Sequence, residues 1–465
     1  MFNLLRRFRL PANTVVMLSV MTNRPSIQST RNRLRSTVTA RRFPGSAGQS
    51  LLSGALEADA SPAQEAQTPP VVAPPPGNPR FPLVDSLRAI AALAVLADHA
   101  GFLTGVNTGT RVGDYTAHFS IGVTIFFLIS GFLLYRPFVL ARFHEAQPVR
   151  VRDYARRRLL RIVPAYWLAL TALGIYPGLV GVYTHDWWIY YGFLQIYGNK
   201  HLLGGITPAW SLCVEVTFYL MLPFFAMAMQ RLLGRLSVER AVGYELAILA
   251  VLGLASLAFR VFAREQGVGW LGNTLPGFLY WFGLGMGIAV VSAAAQHSGG
   301  RPRTFELIGR FPSLCWLTAA VLYWVLCTQL GLPKDLTITP SYIRWTLQHV
   351  LYGLVSFFFV LPAMISDGDG GLPRRILARG WLAWIGLISY GIYLWHLPIL
   401  HVLSHLPIFR ILGKLIGVGA ANWLQGGWFV SLFTLGVAIA GSCATVSYYF
   451  FERPILRYKD RRRPA

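Results

Sequence analysis

The sequence predicts an all-α fold, a polytopic bundle of about ten transmembrane helices. Three observations predict it. Hydrophobic residues make up 54% of the chain and charged residues only 13%, against about 25% charged in an ordinary soluble domain. The apolar residues fall into runs of roughly the twenty that a spanning helix needs. The basic residues gather in alternate loops between those runs and at both ends, which is how orientation is written in a membrane protein. Helices are the only open-chain solution at membrane depth, because lipid offers no partner for a backbone N–H or C=O.

In chain order, residues 1–80 come first. Arg6, Arg7, Arg9, Arg31, Arg33, Arg35, Arg41 and Arg42 are scattered among Ser, Thr and Pro, and residues 62–79 are rich in Pro and Ala. Such a composition cannot bury a core, so a disordered basic cytoplasmic tail is expected. Its apolar piece, Thr14 to Met21, is too short to span a bilayer, and no convincing cleavage site follows it. Residues 81–455 are expected to form the membrane domain, and residues 456–465 a second basic cytoplasmic tail. Spanning runs lie near 83–104, 118–140, 162–183, 208–230, 241–263, 270–294, 313–331, 343–366, 380–404 and 427–452. The aromatic segment Trp187 to Tyr197 is shorter than a span and reads as interfacial or re-entrant. Cys213, Cys315, Cys327 and Cys443 all fall within apolar runs. They show no metal-like pairing and read as small core residues, so neither a disulfide framework nor a metal site is expected.

The loop after the second run carries Arg142, Arg150, Arg152, Arg156, Arg157, Arg158 and Arg161. Basic groups then recur in every second connection: Arg231, Arg235 and Arg240; Arg301, Arg303 and Arg310; Arg374, Arg375 and Arg379; and the C-terminal tail from Arg453. The alternate loops hold only Arg111; Lys200; Arg264; Lys334 and Arg344; Arg410 and Lys414. This asymmetry predicts that both termini are cytosolic in a multi-pass protein of the plasma or inner membrane. It also accounts for the formal net charge of +23. The bilayer, and no nucleic acid, is the expected partner.

Ionisable groups inside spans are costly, so each is a candidate for function. The first run contains Asp85, Arg88, Asp98 and His99. At about 100° per residue, Arg88 and His99 share one face and stand roughly 16 Å apart along it. Asp85 lies one turn from Arg88 on nearly the same face and is placed to pair with it. Under the predicted orientation, Arg88, the segment from Arg156 to Arg161, and Glu452 lie toward the cytosol. His99, Trp210, Ser211, Glu215 and His396 lie in the outer half. A cationic inner tier and a His/Glu outer tier suit a tunnel taking an anionic donor from within and an acceptor from without. A transporter or flippase working through an Arg/His/Glu relay is the competing reading. The paired Gly/Pro-broken helices that mark inverted repeats are absent from the sequence.

Several segments are together distinctive. Phe81-Pro82-Leu83-Val84-Asp85-Ser86-Leu87-Arg88 through His99 carries an Arg-x10-His signature. Ile125-Phe126-Phe127-Leu128-Ile129-Ser130-Gly131-Phe132 follows. Then come Arg157-Arg158-Leu159-Leu160-Arg161-Ile162-Val163-Pro164-Ala165-Tyr166-Trp167 and Trp210-Ser211-Leu212-Cys213-Val214-Glu215 through Tyr219-Leu220. The series ends with Ser389-Tyr390-Gly391-Ile392-Tyr393-Leu394-Trp395-His396 and Tyr448-Tyr449-Phe450-Phe451-Glu452-Arg453-Pro454. In this order they resemble the acyltransferase-3 family of multi-pass membrane acyltransferases, over Phe81 to about Arg457.

The resemblance implies a cytosolic acyl-CoA donor, usually acetyl-CoA, as co-substrate with no tightly bound cofactor. It implies O-acylation of a carbohydrate, a cell-envelope glycan or a glycosylated natural product. It makes Arg88 and His99 the essential pair, with Glu215 orienting His99 or polarising the acceptor. Asp85, Arg158, Arg161, Tyr390, His396 and Glu452 are expected to line the substrates' path. Trp210 and Ser211 are expected to donate to a developing oxyanion. The chain departs from the family at Val216, where a second glutamate is common. It also ends soon after Glu452, so the esterase-like domain fused to some relatives is expected to be absent.

Overall fold

The structure is a computed structural model. It describes residues 81–460 apart from Pro82, 145–148, 298–307, 309–310, 335–337, 339, 366–370 and 408–420. The N-terminal tail with its Thr14 to Met21 segment therefore lies outside the described residues. So do residues 461–465 and the loop positions Arg301, Arg303, Arg310, Arg410 and Lys414.

Among the described residues every regular element is helical. The long helices are α1 (Leu83–Thr104), α2 (Ile121–Phe143), α3 (Val151–Ile175), α4 (Trp210–Leu233), α5 (Val238–Glu265) and α6 (Leu275–His297). They continue with α7 (Pro312–Thr328), α8 (Tyr342–Ile365), α9 (Gly380–His405) and α10 (Ala421–Ser447). Nine helical segments among the described residues are long and apolar enough to cross a membrane, and α7 is a shorter apolar helix. They follow the predicted order of runs. Most boundaries shift by only a few residues.

One shift matters. Helix α3 begins at Val151, not near residue 162, so Arg152 to Arg161 are helical and not a loop. No Gly or Pro interrupts Val151 to Val163, and Ala, Leu and Arg are good helix formers. Helical spacing then places Tyr154, Arg158 and Arg161 on one face, at i, i+4 and i+7. Residues 456–460, expected to open the C-terminal tail, continue a short helix, Arg453–Asp460. Trp187–Tyr191 forms one short helix between α3 and α4, with Trp187 and Trp188 exposed.

Helix α1 sits inside the bundle against α2, α9 and α10. Close approach needs small residues, since lipid supplies no hydrophobic drive between helices. A Cβ on Gly386 of α9 would collide with the Asp85 carbonyl of α1. Where α2 crosses α6, Gly131 faces the Phe282 carbonyl and Gly285 faces the Leu128 carbonyl. These contacts hold α1 and α9 in a fixed register, and with them Arg88, His99, Tyr390 and His396. The four cysteines are free.

A buried polar staple joins α2 to α5. Glu245, wholly inaccessible, pairs with Arg142 and accepts the Tyr135 hydroxyl. Counting charge by loop misses it, because Glu245 lies within an apolar run. Removing one member of a buried pair leaves the other charge uncompensated. Glu245→Ala is therefore expected to destabilise the fold by about 3–5 kcal/mol. Denaturant unfolding in micelles checks this, and a loss below one-third of that range would make the staple incidental.

Candidate active site

Two cavities open beside α1 and share Arg88, Glu215 and Tyr390 in their walls. The larger measures about 340 Å³ and is lined by Asp85, Arg88, Ser130, Arg158, Arg161, Glu215, Tyr219 and Tyr390, with apolar neighbours. The smaller, about 50 Å³, is bounded by Val123, Phe126, Phe127, Ser211, Leu212 and Tyr393 together with the shared residues. Helical spacing explains the convergence. Asp85 and Arg88 are i, i+3 on α1, and Arg158 and Arg161 are i, i+3 on α3. Glu215 and Tyr219 are i, i+4 on α4, and Tyr390, Tyr393 and His396 climb one face of α9.

The larger cavity holds three guanidinium groups against two carboxylates. Among the described residues, none of Arg88, Arg158 and Arg161 forms an ion pair with Asp85 or Glu215, though Asp85 and Glu215 act on Arg88 electrostatically. The Nε groups of Arg88 and Arg158 are buried without a hydrogen-bond partner. Buried donors left unused are costly unless an anion arrives to take them. Glu215 is already engaged: Ser130 Oγ donates to it at 3.1 Å and Tyr219 OH at 2.7 Å. Ser130 and Tyr219 lay within the quoted motifs but were not singled out from sequence. Their signal was helical spacing from Glu215 and membership of the Ser-Gly-Phe segment.

At the far end of the smaller cavity, Ser211 and Tyr393 meet over one carbonyl. Ser211 Oγ donates to the Pro208 oxygen at 3.1 Å, Tyr393 OH donates to the same oxygen at 3.0 Å, and the two hydroxyls stand 2.8 Å apart. Two hydrogens serve three contacts, so neither hydroxyl has a spare hydrogen for an oxyanion unless it turns away from Pro208. The Tyr390 hydroxyl donates to the Ile162 carbonyl at 3.0 Å and ties α9 to α3.

One turn beyond Tyr393 are two histidines. His99 Nδ1 lies 2.9 Å from the Val95 carbonyl oxygen, and His396 Nδ1 lies 2.8 Å from the Tyr393 carbonyl oxygen. A carbonyl only accepts, so each neutral ring carries its hydrogen on Nδ1 and leaves Nε2 as a lone pair. His396 Nε2 approaches His99 Nδ1 at 3.2 Å. His396 is buried.

The structure thus brings Asp85, Arg88, Arg158, Arg161, Glu215 and Tyr390 around one cavity, and His99 with His396 beyond it. Three of the expected site residues stand apart from the positions expected of them. Glu215 sits at the Arg88 end and not beside His99. Helix α4 starts at the Ser211–Tyr393 contact, and four further residues carry Glu215 about 6 Å past it. The polar ring contacts of His99 are Val95 and His396 instead. Trp210 lines neither cavity, and its ring lies against Phe278 at 5.5 Å. Glu452 also lines neither; it accepts Ser447 Oγ at 3.2 Å and acts on Arg161 electrostatically from a π-helical turn, Tyr448–Glu452.

Apolar helices enclosing an ionisable core define a multi-pass membrane protein with a built internal site. A family model described as an acyltransferase domain matches residues 82–447. The chain belongs to this acyltransferase-3 family. It is similar to the peptidoglycan O-acetyltransferase OatA of Listeria monocytogenes, with 26% identity over 80% of this chain and 55% of the relative. It is also similar to the O-acetyltransferase OatA of Staphylococcus aureus, with 23% identity over 81% of this chain and 58% of the relative. The chain thus spans little more than half the length of these relatives. No solved structure matches it.

Proposed function

We propose that the chain moves an acetyl group from cytosolic acyl-CoA to a hydroxyl of a carbohydrate, with a cell-envelope glycan as the favoured acceptor. One observation carries the reading. Arg88, Arg158 and Arg161, which form no ion pair among the described residues, line one cavity, and three turns along the Arg88 helix His99 has its Nδ1 hydrogen at the Val95 carbonyl and its Nε2 lone pair left over. Coenzyme A brings several phosphate charges, which guanidinium groups hold through charge-assisted, often bidentate hydrogen bonds. Its flexible arm then carries the thioester along the smaller cavity toward the histidines. His99 Nε2 takes the proton of the acceptor hydroxyl as its oxygen attacks the acyl carbon. The C–O bond forms, the C–S bond breaks, and the proton ends on the departing sulfur. The names of the OatA relatives support an acetyl donor and a peptidoglycan-like acceptor.

In this reading the Arg88 end faces the cytosol and both termini are cytosolic, in keeping with loop charge. The test is transfer of labelled acetyl from acetyl-CoA to a glycan acceptor by purified protein in micelles. Covalent acetylation is expected. Movement of label across liposomes without a covalent product would favour the transporter reading. Orientation is checked with single-cysteine variants in intact cells. Lys200→Cys is expected to react with an impermeant reagent and Arg152→Cys to stay unlabelled; the reverse pattern would invert the donor side.

A further inference from the structure

We infer that His396 is a positioning residue that works through His99, as the second acceptor for its Nδ1 hydrogen and the group that shares its charge when it is protonated. This rests on the reading of His99 as the base. In an α-helix the Val95 carbonyl already accepts the backbone N–H of His99, four residues on. It is therefore a divided partner for the ring hydrogen, although it stands at 2.9 Å. His396 Nε2, at 3.2 Å, offers a lone pair with no other hydrogen-bond partner among the described residues. That lone pair is available because the Tyr393 carbonyl holds the His396 hydrogen on Nδ1. The chain of contacts runs in one direction: Tyr393 carbonyl, His396 Nδ1–H, His396 Nε2, His99 Nδ1–H, with the His99 Nε2 lone pair at the open end.

When His99 takes the hydroxyl proton on Nε2, its ring becomes an imidazolium in a buried site, where an uncompensated charge is costly. The Nδ1 hydrogen then strengthens its bond to the His396 lone pair. This spreads the positive charge over two rings until the proton passes to the coenzyme sulfur. A buried carboxylate plays this part in other orienter–histidine pairs. Here Glu215 lies in the wall of the Arg88 cavity and Asp98 is taken by Asn107. A neutral imidazole fills the role without adding a fixed negative charge to the apolar path between donor and acceptor. The rings, 5.0 Å apart between centroids, are tilted by 54°, which is compatible with an edge-directed hydrogen bond and not with face-to-face stacking.

The test compares His396→Leu, His396→Gln and His396→Asn in the full chain, in single and double variants with His99→Ala. His396→Leu fills the volume but accepts nothing. It should lower kcat about 10- to 100-fold, taking as a guide the loss of groups that orient metal-bound histidines, with KM for acetyl-CoA unchanged. Gln can place its carbonyl oxygen near the Nε2 position and should recover most of the rate. Asn is too short to reach and should not. In a His99→Ala background, His396→Leu should cost nothing further, because groups that act as a unit are not additive. Thermal stability is followed in parallel. Wild-type kcat in folded His396→Leu, equal activity of the Gln and Asn variants, or an undiminished loss on top of His99→Ala would each overturn the inference. If His396→Leu fails to fold, the Gln and Asn comparison decides. Wild-type turnover in His99→Ala would instead overturn the base assignment itself.

Discussion

His99→Gln is expected to fold, insert and bind acyl-CoA normally while acetyl transfer falls by about two to four orders of magnitude, the usual worth of a positioned base. Glutamine keeps a polar group able to bond the Val95 carbonyl and His396, but it cannot take a proton near neutral pH. His99→Ala is expected to be about equally inactive. Donor binding should survive both changes, because Arg88, the residue of α1 proposed to hold the donor phosphates, stands roughly three turns of that helix away. Transfer of labelled acetyl is measured alongside isothermal titration of acetyl-CoA. A loss of donor affinity matching the loss of turnover would show that His99 holds the donor and does not move the proton. Wild-type turnover in folded His99→Gln would end its candidacy as the base.

Arg88→Ala should show the opposite split. Arg88 alone of the three arginines lines both cavities. Its Nε is buried without a hydrogen-bond partner among the described residues, and in the proposed reading it follows the donor from the wide cavity into the narrow one. Truncating one side of a desolvated, hydrogen-bonded charge pair costs about 2–5 kcal/mol. That corresponds to roughly thirty- to several-thousand-fold weaker acetyl-CoA binding. Arg88→Lys should rescue only in part, since a point charge cannot copy a planar fork. Unchanged donor affinity in folded Arg88→Ala protein would assign Arg88 to holding Asp85 and Glu215 in place, not to the substrate.

The architecture was legible because membrane depth enforces it. Lipid forbids unpaired backbone groups, so each apolar run of sufficient length has only the helix open to it. Apart from Val151–Ile175, the predicted runs and the observed helices coincide from Leu83–Thr104 through Gly380–His405 with modest end shifts. The shared face of Arg88 and His99 was legible for the same reason. Helical periodicity within one uninterrupted span relates side chains without reference to any other helix. Where a polar segment flanked a span, length and hydropathy misplaced the boundary. The arginine-rich start of α3 reads as a loop by charge, yet helix propensity carries it inward as a wall of the cavity.

The sequence by itself determined the order of the helices, the candidate residues on each, and the polar face of α1. It could not determine the relative axial register of separate helices. Register follows from where backbones touch, and those contacts lie at Gly386 against Asp85, Gly122 against Ala91, and Gly131 and Gly285 across α2 and α6. A slide of one turn, about 5.4 Å, moves a side chain from one tier of the core to the next. Glu215 shows the consequence: depth counting alone placed it beside His99, whereas the docking of α4 against α9 through Ser211 and Tyr393 sets it beside Arg88. The same register brings His396 within hydrogen-bonding reach of His99 across 297 residues of chain. No spacing within a single helix encodes that contact, because only close fit between packed helices selects it.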